Sequence, residues 1–280
     1  MNLRTQLDFF HDPGPDVPAL VAAGALFVIN HSGGKDSQLM FHHVKKLVPA
    51  RQMICIHAPL KDVEWPGALE LARDQAAAAG VRFILAHHHR EISLLDKVAE
   101  KHAKRPDCSP WPSDGQRWCT SDWKTGPCRR EARRYANLAG FTTVVNCLGL
   151  RASESWSRFK ELPWSLNEEQ TNSRRTWYDW LPIHNVFTPE VFAQLDAAGL
   201  VPHHAYGLGN ERLSCCFCIY GSSSDLRNGA LHNPELYARY VELEQQTGYT
   251  MHMSRKSLPE LTGLSVRQAR QLHALNFSTT

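Results

Sequence analysis

The stretch Leu26-Phe-Val-Ile-Asn-His-Ser-Gly-Gly-Lys-Asp-Ser37 decides the fold. Leu26, Phe27, Val28 and Ile29 make an apolar run of strand length, and Ser32-Gly33-Gly34 imposes a tight turn. Beyond it Leu39, Met40, His43, Val44, Leu47 and Val48 recur at helical spacing, so a helix is expected from Lys35 or Asp36 onward. Strand, glycine turn and helix in that order put a helix N-terminus at the carboxyl edge of a sheet. Free backbone N–H groups and the helix dipole attract an anion there, and two glycines let a phosphate approach the backbone. Lys35 adds a positive charge, Ser32 and Ser37 add hydroxyl donors, and Asp36 is suited to hold Mg2+ through water. The spacing is neither G-x-x-x-x-G-K-[ST] nor G-x-G-x-x-G.

Outward from this stretch, short apolar runs alternate with helical patterns. Met53–His57 reads as a second strand, Trp65–Ala79 as a helix ended by Gly80, Val81–Ala86 as a third strand and Glu91–His102 as a helix. Thr142–Leu148 is a further strand. This alternation predicts an α/β fold with a doubly wound parallel sheet, in which ligands bind outside the carboxyl ends of the strands. Lys104–Lys124 is too long for an idle connection and reads as a functional loop, followed by a basic helix Arg129–Ala139. Residues 160–176 read as a polar, mobile loop, Trp177–Ile183 as a strand and Thr188–Ala198 as a helix. The expected organisation is an N-terminal arm over residues 1–25, a nucleotide-binding domain over 26–220 and a helical C-terminal extension over 221–280.

The totals narrow the classes. The 280 residues are 42% hydrophobic and 21% charged, enough apolar material for a proper core. A net charge of +3 is too small to demand a nucleic-acid partner, though local basic patches are compatible with one. No apolar run reaches the length of a membrane span, and Met1–Phe10 lacks the core of a signal peptide, so a cytoplasmic chain without a membrane partner is expected. Eight cysteines in such a compartment point to metal or redox chemistry rather than a disulfide framework.

Two more constellations carry chemistry. In Gly149-x-Arg151-x-x-Glu154-Ser155-x-x-Arg158, a glycine after a strand is followed by two arginines that suit a phosphate-facing loop. Glu154 is placed to orient an arginine or touch a ribose; the bland alternative is a surface loop with a local ion pair. Cys215-x-x-Cys218 is a chelating turn, and Cys119 and Cys128 flank a compact stretch upstream. Together they suit a four-sulfur site, with Cys216 pointing elsewhere; the bland alternative, buried cysteines acting as small hydrophobes, fits Cys55 and Cys147 in their strands better than Cys119, Cys215 and Cys218. Arg129, Arg130, Arg133 and Arg134 share one side of a helix, either to track a phosphate backbone or as a solvated face.

Ser32–Ser37, Trp118-Cys-Thr-Ser-Asp-Trp-Lys124, Gly149–Arg158, Trp180-Leu-Pro-Ile183 and Arg212-Leu-Ser-Cys-Cys-Phe-Cys218 come in one order. In that order they resemble the phosphoadenylyl-sulfate (PAPS) reductase family of the PP-loop ATP pyrophosphatase superfamily, which includes sulfur-transfer subunits of DNA phosphorothioation systems. The resemblance spans about residues 26–220. It implies an adenine nucleotide α-hydrolase-like fold that binds ATP or an adenylyl-sulfate with Mg2+. Ser32, Gly33, Gly34, Lys35, Asp36 and Ser37 would hold phosphates, and Gly149, Arg151, Glu154 and Arg158 would border the same ligand. Lys35, Asp36 and Lys124 are the expected catalytic residues.

The chain departs from the assimilatory reductases in having no cysteine after Cys218, so a C-terminal nucleophilic thiol has no candidate. Cys119-Thr120 also stands where cluster-bearing relatives carry paired cysteines. The expected metal ligands are Cys119, Cys215 and Cys218, with Cys128 as the fourth or with one iron left open. A 4Fe–4S cluster is the first expectation and Zn2+ the inert alternative. The expected function is AMP-forming activation of an acceptor, with nucleic acid a candidate, coupled to sulfur transfer from a donor such as a cysteine desulfurase. Reduction of an adenylyl-sulfate is the second reading, and a non-catalytic nucleotide-sensing module the third.

Overall fold

The computed structural model describes residues 16–90 and 92–277. The arm expected over residues 1–25 is described from Asp16 on and contains helix α1, Val17–Ala22, capped by the Asp16 carboxylate. Contacts divide the chain into two compact units. The first holds the described residues up to His57 with Leu69–Ala86 and Cys128–Pro202; the second holds Ala58–Ala68, His87–Pro127 and the described residues from His203 on.

The first unit is built on a sheet that has six strands among the described residues, in the order β3-β2-β1-β4-β6-β5. The strands are β1 Leu26–Asn30, β2 Met53–His57, β3 Arg82–Leu85, β4 Thr143–Cys147, β5 Trp164–Leu166 and β6 Thr176–Trp180. All neighbours are parallel except β5 on β6. Strand β2 is buried at every position and β1 at all but its last, as expected of strands covered on both faces. The chain winds outward from β1 to β3 on one side and from β4 to β6 and β5 on the other. The switch point therefore lies between β1 and β4, where the loops after both strands emerge. Helices α2 Lys35–Val44, α3 Ala68–Ala78, α5 Gly126–Ala139 and α6 Thr188–Ala197 accompany these strands, α4 being Leu94–Lys104 of the second unit.

The carboxyl ends of the central strands are locked by polar side chains. Asn30 donates to the Asn146 side chain at 2.6 Å, Asn146 donates to Asp179 at 2.7 Å, and Asn167 and the Trp177 indole also donate to Asp179. A one-residue slip would break every member of this ladder, so it pins the register of β1, β4 and β6.

Two sequence expectations need correcting. Residues 160–176 contain β5, which pairs antiparallel with β6 while Trp164 stacks on Tyr178 at 4.6 Å. Three residues are too few to show an alternating pattern, so the strand is invisible without its partner. The strand expected to run to Ile183 ends at Trp180, ahead of Leu181-Pro182, where proline has no N–H to offer a ladder.

In the second unit, helices α7 Ser223–His232, α8 Pro234–Thr247, α9 Leu258–Thr262 and α10 Val266–Phe277 follow one another. The segment expected as a C-terminal extension shares one apolar cluster with Trp111, Trp118 and Trp123 of the long loop, through Phe217, Tyr237 and Tyr240. The Trp111 indole donates to the Tyr249 carbonyl at 2.9 Å and stacks on Tyr240. Among the described residues no helix is long and apolar enough to cross a membrane.

Candidate nucleotide site and cysteine cluster

The Ser32–Ser37 loop leaves β1 and starts α2. Gly33 has φ +77°, a conformation that glycine adopts without strain. Gly34 is the N-cap of α2 and offers no side chain to bond the first free N–H groups of the helix. The loop is held from below. His31 Nδ1 accepts the Gly33 N–H at 3.0 Å, and its Nε2 meets Gln75 Oε1 at 2.6 Å, so its proton sits on Nε2. Gln75 donates in turn to the Gln38 carbonyl of α2. Burial first, opposed by the Gln75 bond and aided by nearby His57, pushes the His31 pKa down to about 4. Ser37 Oγ donates to the Gly34 carbonyl at 2.9 Å and accepts the Ser32 N–H at 3.2 Å. Ser32 and Ser37 thus shape the loop as well as line it.

Lys35 is 3% exposed, with its ammonium 3.2 Å from Asp36 Oδ2 and 5.9 Å from the Phe192 ring centroid. Arg151, also 3% exposed, donates Nε to Asp36 Oδ1 at 2.7 Å and Nη1 to Ser153, Thr188 and the Val186 carbonyl. Both carboxylate oxygens of Asp36 are engaged, Oδ2 by Lys35 and Oδ1 by Arg151. Gly149 comes so close to α2 that a Cβ would lie 3.0 Å from Asp36 C and Ser37 N, which explains the glycine by packing. Glu154 accepts the Arg151 N–H and steadies that turn, while Arg158 is paired with Glu161 at 2.9 Å. The structure therefore brings Lys35, Asp36, Gly149 and Arg151 into direct contact and gives Glu154 and Arg158 local partners.

Lys124, Cys119, Cys215 and Cys218 lie in the second unit, and Cys128 in the first. Lys124 sits on a π-helical turn, Ser121–Thr125, that runs from the short helix Trp118–Thr120 into α5. Such turns reposition a side chain within otherwise helical backbone. Burial disfavours the Lys124 ammonium, but Cys215, Cys218, Glu64 and Cys119 outweigh it and hold its pKa above the ordinary lysine value. Burial pushes the Cys215 thiol up to about 12 even though Lys124 opposes the shift. It raises the Cys119 thiol too. Glu64 is brought in by a bridge between its backbone and that of Cys215. Cys216 is buried in the apolar cluster beside Phe217, with its N–H on the Val63 carbonyl. Cys128 adjoins Cys55, whose thiol is raised by burial and then by that neighbour.

Cys119, Cys215 and Cys218, whose charges all act on Lys124, are the right donors in kind for a soft metal. Among the described residues, however, no group of three or more His, Cys, Asp or Glu side chains is arranged to hold a metal ion.

A profile of the phosphoadenosine phosphosulfate reductase domain family matches residues 27–220. The chain belongs to this family. Membership places the chain in the PP-loop superfamily, among enzymes whose fold binds nucleotides, with Ser32–Ser37 as the candidate PP-loop. No curated protein sequence matches the chain. Among solved structures it is similar to a phosphoadenylyl-sulfate reductase from Candida auris in a phosphate complex, with TM-score 0.45 and 19% identity over 71% of this chain and 87% of that one. It is also similar to the FMN adenylyltransferase of Candida glabrata in complex with ATP, with TM-score 0.42 and 10% identity over 69% and 53%. A third likeness is to the NH3-dependent NAD synthetase of Campylobacter jejuni, with TM-score 0.40 and 13% identity over 99% and 96%.

Sequence reasoning missed three residues of these sites: His31 and Gln75 beneath the PP-loop and Glu64 beside the cysteines. His31 was detectable, since it immediately precedes Ser32 at the end of a buried strand. Gln75 and Glu64 carry no local signal, because each is delivered by a segment distant in the chain.

Proposed function

We propose that this PAPS reductase family member binds ATP through its PP-loop and activates an acceptor in an AMP-forming reaction coupled to sulfur transfer. The observation that carries this reading is the uncapped start of α2 at Gly34, with the Lys35 ammonium beside it and a rigid frame of His31, Gln75 and Arg151 behind it. Such a terminus stabilises phosphate charge without reorganising. In the proposed reaction an acceptor oxygen attacks the α-phosphorus, the bond to the bridging oxygen breaks, and pyrophosphate leaves as Lys35 neutralises its charge. A sulfur nucleophile then takes the place of the activated oxygen, which departs with AMP.

Asp36 would hold Mg2+, which supplies further charge neutralisation at the phosphates. We propose that Cys119, Cys215 and Cys218 would hold an iron–sulfur cluster, with zinc the inert alternative. A cluster would supply sulfur or electrons to the reaction. A nucleic-acid acceptor and a cysteine desulfurase as sulfur donor complete the proposal. Reduction of an adenylyl-sulfate is the second reading, favoured by the description of the matching family.

Incubation with labelled ATP, Mg2+ and candidate acceptors should yield AMP and pyrophosphate. ADP and phosphate as the main products would overturn the reading, and efficient sulfite release from an adenylyl-sulfate would promote the second. Anaerobic purification followed by iron, sulfide and zinc analysis tests the cysteine site. Cys215→Ser and Cys218→Ser should lose the metal, and retention of metal in Cys128→Ser would limit the ligand set to the other three.

A further inference from the structure

Arg175 immediately precedes β6 and is only 7% exposed. Its Nη1 donates to the Asn137 side chain at 3.1 Å, its guanidinium carbon lies 5.9 Å from the Trp177 ring centroid, and its Nε is buried without a hydrogen-bond partner. Arg133 of α5 donates Nη1 to Gln170 Oε1 at 2.6 Å. Both partners, Gln170 and Asn137, are neutral amides. Among the described residues, no ion pair includes Arg133 or Arg175. Burial and then the Arg133 charge lower the Arg175 pKa from its ordinary value. Arg129, one turn before Arg133, also has a buried Nε without a partner. Its ion pair is with Glu169, a side chain 79% exposed. Exposed Arg174 adjoins Arg175.

A buried cation is ordinarily matched by a carboxylate, because desolvating it alone is costly. Here Arg133 and Arg175 meet amides in place of carboxylates, and the carboxylate on Arg129, that of Glu169, is exposed. This is a cradle for an anion from outside the chain, and guanidinium forks suit the oxygens of phosphate or sulfate. The place is not the PP-loop. Strands β1, β4 and β6 run parallel; the PP-loop follows the carboxyl end of β1, and Arg175 precedes the amino end of β6. A five-residue strand spans roughly 16 Å, which separates the two edges.

We propose that Arg133 and Arg175, flanked by Arg129 and Arg174, form a second oxyanion site that takes a tetrahedral phosphate or sulfate group. Two sources carry that chemistry, a free inorganic anion and the phosphodiester of a polynucleotide. The site is independent of the AMP-forming reading, since it is tested by binding without turnover.

The experiment saturates the PP-loop with a non-hydrolysable ATP analogue and titrates inorganic phosphate, and separately a labelled single-stranded oligonucleotide, into the full chain. At least one probe should bind, and Arg133→Gln and Arg175→Gln should each weaken it about tenfold or more, the scale of a lost charge-assisted bond. Arg133→Lys should restore part of the loss. Affinity for the ATP analogue should stay at the parental value in every variant, which also reports intact folding. Phosphate binding that the oligonucleotide does not displace identifies a free anion as the ligand. Oligonucleotide binding whose salt slope falls by about 1 in Arg133→Gln identifies a backbone phosphate. If neither probe binds the parent, the site does not exist. Binding that Arg133→Gln leaves unchanged, while the variant still binds the analogue normally, overturns it equally. Should Arg175→Gln fail to fold, Arg133→Gln and Arg174→Gln decide alone, because their side chains are less buried.

Discussion

The PP-loop of the first unit and the cysteine cluster of the second each place a lysine among groups that could bind it, and they do so by opposite means. Around Lys35 the opposing group is a single carboxylate: Asp36 is shared with Arg151 and fixed from both sides. Around Lys124 much of the stabilisation comes from Cys215, Cys218 and Cys119, with Glu64 the carboxylate among them, and burial raises the Cys215 and Cys119 thiols. One carboxylate held between two cations makes a rigid arrangement of side chains. A lysine among thiols makes a site whose charge depends on what the sulfurs bind, since a metal or an electrophile would drive them to thiolates.

Breaking the rigid side of this comparison should have the largest effect. Arg151→Met removes one partner from a buried pair and leaves Asp36 half compensated, with an expected loss of about 3–5 kcal/mol in urea denaturation. Adding Asp36→Asn should recover part of that loss, and strict additivity of the two changes would show that the pair is not coupled. Lys35→Met should keep the fold but lower AMP-forming turnover by about 10²–10³-fold, the scale of a lost preorganised charge. Turnover within a factor of two of the parent would remove Lys35 from the chemistry.

His31 sharpens the contrast through pH. Its pKa falls from the ordinary 6.5 to about 4 in the fold, so the unfolded chain binds the extra proton between these values. The stability it contributes is complete above about pH 6.5 and is lost as pH falls toward 4, amounting to about 3 kcal/mol. Asn in place of His31 keeps an acceptor near Nδ1 but cannot titrate. Stability of His31→Asn should therefore change less between pH 4 and 6.5, and an identical slope in parent and variant would discard the assignment.

The smallest effect belongs to the soft side. Lys124 opposes the rise of the Cys215 pKa, so Lys124→Met should raise it further and slow alkylation of Cys215 in the metal-free protein about threefold. Faster alkylation at unchanged stability would mean that Lys124 does not face the sulfur.

Much of the first unit was legible because its signals are local. The apolar run of β1, the glycine turn and the helical spacing of α2 occupy a few consecutive turns of chain, and local sterics suffice to predict them. The same holds for β2, β4 and the buried Cys55 and Cys147 within them. The cluster of the second unit was legible in its parts, as a Cys-x-x-Cys turn and an isolated Cys119, but Glu64 was not. Only a backbone bridge to Cys215 delivers that carboxylate.

By itself, then, the sequence determined the strand–turn–helix that makes the PP-loop, the parallel winding around it and the residue types available at each site. The tertiary structure decided what those residues do. It turned Arg151 toward Asp36, made Gly149 a packing requirement of α2, set His31 beneath the loop and added β5 to the sheet edge. It also set Arg133 on the Gln170 amide and the buried Arg175 on the Asn137 amide of α5, with no carboxylate paired to either among the described residues. The physical reason is range. Backbone sterics and hydrophobic periodicity act over a few residues and are written along the chain, whereas ion pairing, desolvation and close packing depend on which distant segments meet.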